Sequence, residues 1–240
     1  MYKRILLKIS GEALKNDNKE SIFDLEYLKV LAEKIKELHD DGIEIAIVVG
    51  AGNIWRGKLA KELGLDQEAA DYMGMLGTVI NAVTLASCLN NIGVETEVFS
   101  ALTEVADTVK KYDKTLANQA LNSQKVTFLA GGTGKPFFTT DTAATMRALE
   151  LNCEAILMGK NGVEGVFDKD PAKHSDAKFI KEITYDKIIE MGLQVMDITA
   201  VQLIKDSNID IRVFSMSDLD NFKRVVKGED IGTTCHKEGK

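Results

Sequence analysis

The sequence predicts an α/β fold, a three-layer αβα sandwich around a mostly parallel central sheet. Apolar or β-like runs of strand length recur at 4–10, 44–50, 94–99, 125–131, 154–159 and 210–216. Helical patterns separate most of them, and apolar strands that alternate with helices form parallel sheets covered on both faces. With 2 prolines in 240 residues, no Ser/Gly-rich linker, no low-complexity run and no internal repeat, the chain reads as a single domain over 1–240. Ligands of such sheets sit beyond the carboxyl ends of the strands, so the chemistry is expected in the loops that follow them.

In chain order, RILLKIS (4–10) reads as a buried strand followed by a polar loop. A helix then starts at Asp24, with Leu25, Leu28, Leu31, Ile35 and Leu38 on one face; Asp24 is its expected N-cap and Gly42 its stop. EIAIVVG (44–50) is the second strand. Residues 72–89 form an 18-residue stretch without charge, close to the length of a membrane span. Asn81, Thr78, Thr84, Ser87 and two glycines interrupt it, and no basic flank accompanies it, so it reads instead as a buried or subunit-interface helix. The pattern fixes no helix boundaries within 101–124. The later strands are KVTFLAG (125–131), EAILMG (154–159) and DIRVFSM (210–216).

Composition narrows the setting. Cys88, Cys153 and Cys235 are widely spaced, form no CxxC pair and suit a reducing, cytoplasmic environment. The start MYKRILLKIS lacks the apolar stretch of a signal peptide. A net charge of −7 argues against general nucleic-acid binding, while leaving room for a small anion held by a few cations. His39, His174 and His236 share no spacing that suggests catalysis, and no carboxylates are spaced as a dedicated metal site.

Four strand-end loops are unusual: Lys8-Ile9-Ser10-Gly11, Gly50-Ala51-Gly52-Asn53 with Trp55 and Arg56, GTGKPFFTTD (132–141), and KNGVEGVFDKDP (160–171). The third imitates a phosphate-binding P-loop. Leu129 stands where that pattern needs a glycine, and Pro136, with no N–H and no hydroxyl, stands where it needs Ser or Thr. Lys8 interrupts an apolar strand, where an ammonium is unfavourable unless it pairs with an anion or reaches solvent at the strand end. Arg56 is either a surface cation or a fork for phosphate oxygens. Asp71 is either a first-turn helix acid or an acceptor for two hydroxyls. Trp55 reads as packing. Together these loops place two cations, close-approach glycines and several hydroxyls along one sheet edge, which is what phosphoryl transfer requires.

These motifs resemble the amino acid kinase family, and within it the bacterial kinases that act on uridylate (UMP). The resemblance runs through YKRILLKISGEAL, the run from Gly50 to Gly57, Asp71-Tyr72-Met73-Gly74-Met75, GTGKPFFTTD, GVFDKDP, VMD at 195–197, and IRVFSM followed by RVVKGEDIGT. It implies transfer of the γ-phosphoryl group of MgATP to UMP, giving UDP and ADP in pyrimidine nucleotide synthesis, with Mg²⁺ held chiefly by the phosphates. It implies an acceptor part over about 1–150 and an ATP-binding part over about 151–240. Lys8 and Arg56 are the implied catalytic residues. Lys8, Ile9, Ser10, Gly11, Gly52, Arg56, Asn161, Phe167 and Asp170 are implied for ATP. Ala51, Asp71 and the loop Thr133, Gly134, Lys135, Pro136, Phe137, Phe138, Thr139 and Thr140 are implied for UMP. Asp141 is expected near the phosphates. Asp197 is either an N-cap or a group that orients Lys8.

The sequence departs from the family in three places, one of them Lys135, which stands where relatives often have Asn. Ala51 replaces a customary glycine, which requires a negative φ at that turn. Glu20-Ser21-Ile22-Phe23-Asp24 replaces a Gly-Phe-Gly-Ile-Asp stretch, which puts GTP activation in question. The resemblance also implies inhibition by UTP and a homohexamer built from dimers. The rival readings are a kinase of the same fold acting on a carboxylate or carbamate, and a nucleotide-binding protein without turnover.

Overall fold

The computed structural model describes residues 1–15, 21–103, 105–160 and 162–239. The strands are β1 (Arg4–Ile9), β2 (Glu44–Val49), β3 (Thr96–Ser100), β4 (Lys110–Lys111), β5 (Val126–Ala130), β6 (Ala155–Lys160), β7 (Val166–Phe167), β8 (Phe179–Ile180), β9 (Glu182–Thr184), β10 (Asp210–Ser215) and β11 (Thr233–His236). The helices are α1 (Leu25–Asp40), α2 (Gly57–Glu62), α3 (Gln67–Asn91), α4 (Lys114–Asn122), α5 (Thr140–Glu150), α6 (Tyr185–Met191), α7 (Ile198–Ile204) and α8 (Asn221–Val226). Among the described residues they build a nine-stranded sheet in the order β4-β3-β5-β2-β1-β6-β10-β11-β9, with β7 and β8 as a separate hairpin. All its pairings are parallel except that between β10 and β11.

The strand pleat sorts side chains into two cores. Ile5, Leu7 and Ile9 of β1 join Ile45, Ile47 and Val49 of β2 in a core that includes Leu28 and Leu31 of α1, Leu85 and Leu89 of α3, and Phe222 of α8. Leu6, Val48 and Met158 face the other way, into a core with Ala144 of α5, Ile188 of α6 and Val201 of α7. Helices therefore cover both faces, as the alternation of strands and helices requires.

Local signals explain the helix boundaries. Asp24 caps α1 by accepting the Glu26 and Tyr27 N–H groups, and Gly42, at φ +79°, follows its end. Leu25 departs from expectation. It is 67% exposed, because the first helical residue precedes the turn that meets the sheet, and Ala32 completes the buried stripe instead. The uncharged segment lies in α3, a 25-residue helix whose inner face is buried while Met73, Leu76 and Ile80 remain exposed.

Candidate active site

The carboxyl ends of β1, β2, β5 and β6 lie side by side, and three of the following loops touch. A Cβ at Gly11 would sit 2.3 Å from Gly50 O and 2.6 Å from Gly52 N, so the turn after β1 rests directly on the turn after β2. The second turn is pinned to α3: Asn53 and Asn81 exchange amide hydrogen bonds of 3.0 and 2.8 Å, and Asn81 Nδ2 donates to Gly50 O at 2.7 Å. Both asparagines are buried, so their full satisfaction is required. Ala51 avoids positive φ, as its side chain demands. Its methyl lies 2.8 Å from where a Cβ on Gly77 would be, so the methyl is accommodated by a glycine across the contact.

The loop after β5 is held by the same helix. Thr78 Oγ1 accepts the Gly131 N–H at 2.8 Å, and Gly131, Gly132 and Gly134 all adopt positive φ. Phe137 does so as well, at φ +69°, while its N–H donates to Asp71 Oδ2 at 2.7 Å. Asp71 thus bridges α3 and this loop. Ala51, Gly52, Asp71, Gly132, Lys135, Phe138, Thr139 and Thr140 line one cavity of about 280 Å³. Trp55, expected as packing, donates from its indole to Ala70 O at 2.9 Å and also walls this cavity. Not every expected hydroxyl is available there. Thr133 Oγ1 is engaged with the Lys135 backbone, and Phe137 is 70% exposed.

Lys8 lies on the α5 face of β1. Its ammonium stands 2.6 Å from Asp141 Oδ1, with both side chains about one-fifth exposed. That carboxylate oxygen is shielded from solvent, and the contact is ionic rather than an aligned hydrogen bond. Asp141 sits in the first turn of α5, where a carboxylate also faces the positive helix end. Asp197 takes the other expected position. It caps α7 through the Ala200 N–H at 3.0 Å and accepts hydrogen bonds from Thr139 and Thr142, so it joins the starts of α5 and α7. Lys8 is therefore oriented by Asp141, and Asp197 is an N-cap.

Arg56 is 58% exposed, 3.3 Å from Glu12 Oε1, and its Nε donates to Gly52 O at 3.2 Å. Ser10 begins the short 3₁₀ turn Gly11–Leu14. On the other side of β1, Phe167 and Asp170 line a second cavity of about 420 Å³. Phe167 packs edge-on against Phe179 at 5.5 Å. Asp170 caps the Ala172 N–H at 3.0 Å and pairs with Lys173 at 3.1 Å; the Lys173 hydrogen bond, aided by the backbone one, holds its carboxyl below the usual range. Asn161 lies outside the described residues. The sequence reading missed Lys160, at the end of β6, whose ammonium donates to Val195 O at 3.0 Å. The signal was present, since it is, after Lys8, the second lysine near the carboxyl end of an apolar strand at this edge.

A mostly parallel sheet whose central strand carries Lys8 one residue before its end, flanked by glycine turns on one side and a second cavity on the other, has the layout of an α/β phosphotransferase. The sequence profile of the amino acid kinase family matches residues 3–215. The chain is 47% identical over all 240 of its residues to the uridylate kinase of Aster yellows witches'-broom phytoplasma (strain AYWB), covering 99% of that protein. Its structure is similar to that of UMP kinase from Bacillus anthracis, with a TM-score of 0.95, 37% identity and coverage of 99% and 97% of the two chains. The UMP kinase structure from Ureaplasma parvum gives a TM-score of 0.92, 38% identity and coverage of 99% and 100%. The chain belongs to the amino acid kinase family.

Proposed function

We propose that this protein is a UMP kinase, transferring the γ-phosphoryl group of ATP to UMP to give UDP and ADP in cytoplasmic pyrimidine nucleotide synthesis. The observation that carries the reading is the convergence of the Gly11, Gly50–Gly52 and 132–140 loops beside Lys8, between one cavity on the β2/β5 side and another on the β6 side. The acceptor binds in the first, largely within residues 1–150, and ATP in the second, within 151–240. The uridylate kinase and UMP kinase relatives support the choice of acceptor.

Asp71 takes the ribose hydroxyls, and the backbone of 133–140 reads the uracil edge, an acceptor at O4 beside a donor at N3. Lys8 neutralises the phosphoryl group in flight while Asp141 holds the lysine in place. Loss of one such preorganised contact costs roughly 3–4 kcal/mol of barrier. Arg56 leaves Glu12 to fork onto phosphate oxygens. Among the described residues no group of three potential ligands forms a metal cage. A divalent cation, Mg²⁺, fits as a passenger of the triphosphate, where it would spread the negative charge of the phosphates.

Two further elements complete the proposal. The exposed apolar face of α3 packs against a second copy, the first step of a hexamer. UTP inhibits, and the altered 20–24 segment, of which Glu20 lies outside the described residues, puts GTP activation in question. A coupled assay with ATP against UMP, CMP, aspartate and acetylglutamate tests the reading. Turnover of UMP well above the others is expected, and preference for aspartate or acetylglutamate overturns it. Light scattering that gives a monomer removes the oligomer.

A further inference from the structure

We propose that Lys160 is a second phosphate-contacting cation of the donor site, one that receives the diphosphate leaving the γ-phosphoryl group. The inference deepens the kinase reading above and rests on it.

Strand register supplies the first argument. Lys8 pairs across β1 and β6 with Met158, and Met158 shares a core with Leu6 and Val48 on the face that Lys8 occupies. Side chains two residues apart on a strand share a face. Lys160 therefore projects from the same face as Lys8, one step nearer the carboxyl edge. Strand spacing and rise put their Cβ atoms about 8 Å apart. Asp141, in ionic contact with Lys8, is near enough for its charge to act on Lys160 too.

The second argument is the state of the ammonium. Lys8 has a carboxylate partner; among the described residues Lys160 has none within ion-pair distance, and its Nζ donates only to carbonyls, Val195 O at 3.0 Å and Gln194 O at 3.4 Å. Burial pushes its pKa below the usual lysine value; Asp141 opposes that shift and Lys8 adds to it. A partly buried ammonium without a counter-ion is unfavourable by itself, and a polyanion alongside removes the penalty.

The third argument is position. Lys160 lines both the 420 Å³ cavity with Phe167 and Asp170 and a neighbouring cavity of about 620 Å³ with Asp141 and Asp197. A nucleotide whose base occupies the first and whose terminal phosphate approaches Lys8 must pass Lys160. In the transfer, a UMP phosphate oxygen forms the new P–O bond and the bond from the γ-phosphorus to the β,γ-bridging oxygen breaks. The electron pair stays on the ADP oxygen, total charge is unchanged, and no proton moves. Lys160 remains protonated and faces the oxygen on which charge develops.

The competing role is structural, a tie to the carbonyls ahead of α7. Lys160→Met and Lys160→Gln separate the two, because Gln retains hydrogen bonding without charge. Both variants should bind ADP about tenfold or more weakly by calorimetry while AMP binding stays within about threefold, since only ADP carries the phosphate that a charge-assisted contact serves. Turnover should fall about 100-fold with KM for UMP little changed, and Lys160→Arg should recover part of it. Parallel weakening of ADP and AMP, or turnover in Lys160→Gln within about threefold of wild type, overturns the proposal. If wild-type protein fails to phosphorylate UMP, the acceptor assignment falls, while the ADP-to-AMP ratio still judges Lys160.

Discussion

Replacing Gly11 by alanine is the sharpest perturbation of the converged loops. The new methyl carbon would lie 2.3 Å from Gly50 O, 2.6 Å from Gly52 N and 2.7 Å from Gly50 C. A carbon approaches a carbonyl oxygen no closer than about 3.3 Å, so the two turns must part by about 1 Å. All three clashing atoms are backbone, and Asn81 and Asn53 anchor the Gly50–Asn53 turn to α3, so no side chain can rotate away. Overpacking of this kind costs about 1–3 kcal/mol, and in a chain of this size each kcal/mol lowers Tm by about 2–4 °C. The catalytic loss should be larger, because displacing a positioning loop by about 1 Å costs on the order of 100-fold in rate. Steady-state kcat/KM for UMP and ATP, with Tm alongside, is the assay. Gly42→Ala is the control: its φ of +79° strains any side chain, but nothing lies within 4 Å and it sits at the opposite sheet edge. It should lower Tm without lowering kcat. Near-normal activity in Gly11→Ala would refute the claim that contact between these turns sets the geometry of transfer.

The remaining predictions address single groups. Lys8→Ala should reduce kcat by about 100- to 1,000-fold while circular dichroism reports an intact fold; near-normal turnover removes Lys8 from the mechanism. Asp71→Asn should raise KM for UMP about tenfold or more with KM for ATP unchanged, since Asp71 lines only the acceptor-side cavity, and an equal rise in both would contradict that placement. Asp197→Ala removes the α7 cap and the acceptor for Thr139 and Thr142, and should lower stability by about 1–2 kcal/mol, read as the midpoint of urea unfolding. Burial pushes the Cys153 and Cys235 thiols up to about 12, so near pH 8.5 neither is ionised and both are inaccessible; at most Cys88 should react with a thiol reagent in native protein, against all three after denaturation. Rapid native labelling of all three would mean the buried thiols are not where the fold puts them.

What the sequence revealed depended on how each feature is encoded. The five apolar strands were legible because a strand buried on both faces must be apolar throughout, and β1, β2, β5, β6 and β10 all appeared within a residue of their expected ends. β7, β8, β9 and β11 were not, being two to four residues long and partly exposed, so they carry no periodic signal. The glycine turns were visible, but the reason Gly11 must be glycine is a contact with residues 50–52, which no local pattern records. The same holds for Asp141. Its pairing with Lys8 joins positions far apart in sequence, whereas Asp197, directly after an apolar pair, invited the same role and turned out to be an N-cap.

Sheet order explains why one lysine stands between two cavities. β1 is the middle strand, with β2 and β5 on one side and β6 and β10 on the other. Loops from the first pair build the cavity with Asp71, and those following β6 build the one with Phe167. A central strand is packed on both faces, so a charge in it is tolerable only at its end and only opposite a compensating group. The N-terminal turn of α5 supplies that group in Asp141. The one place in β1 where an ammonium can be held is therefore also the boundary between the two cavities. On the proposed reading, the cation for transfer between two nucleotides is fixed there by packing before either ligand arrives.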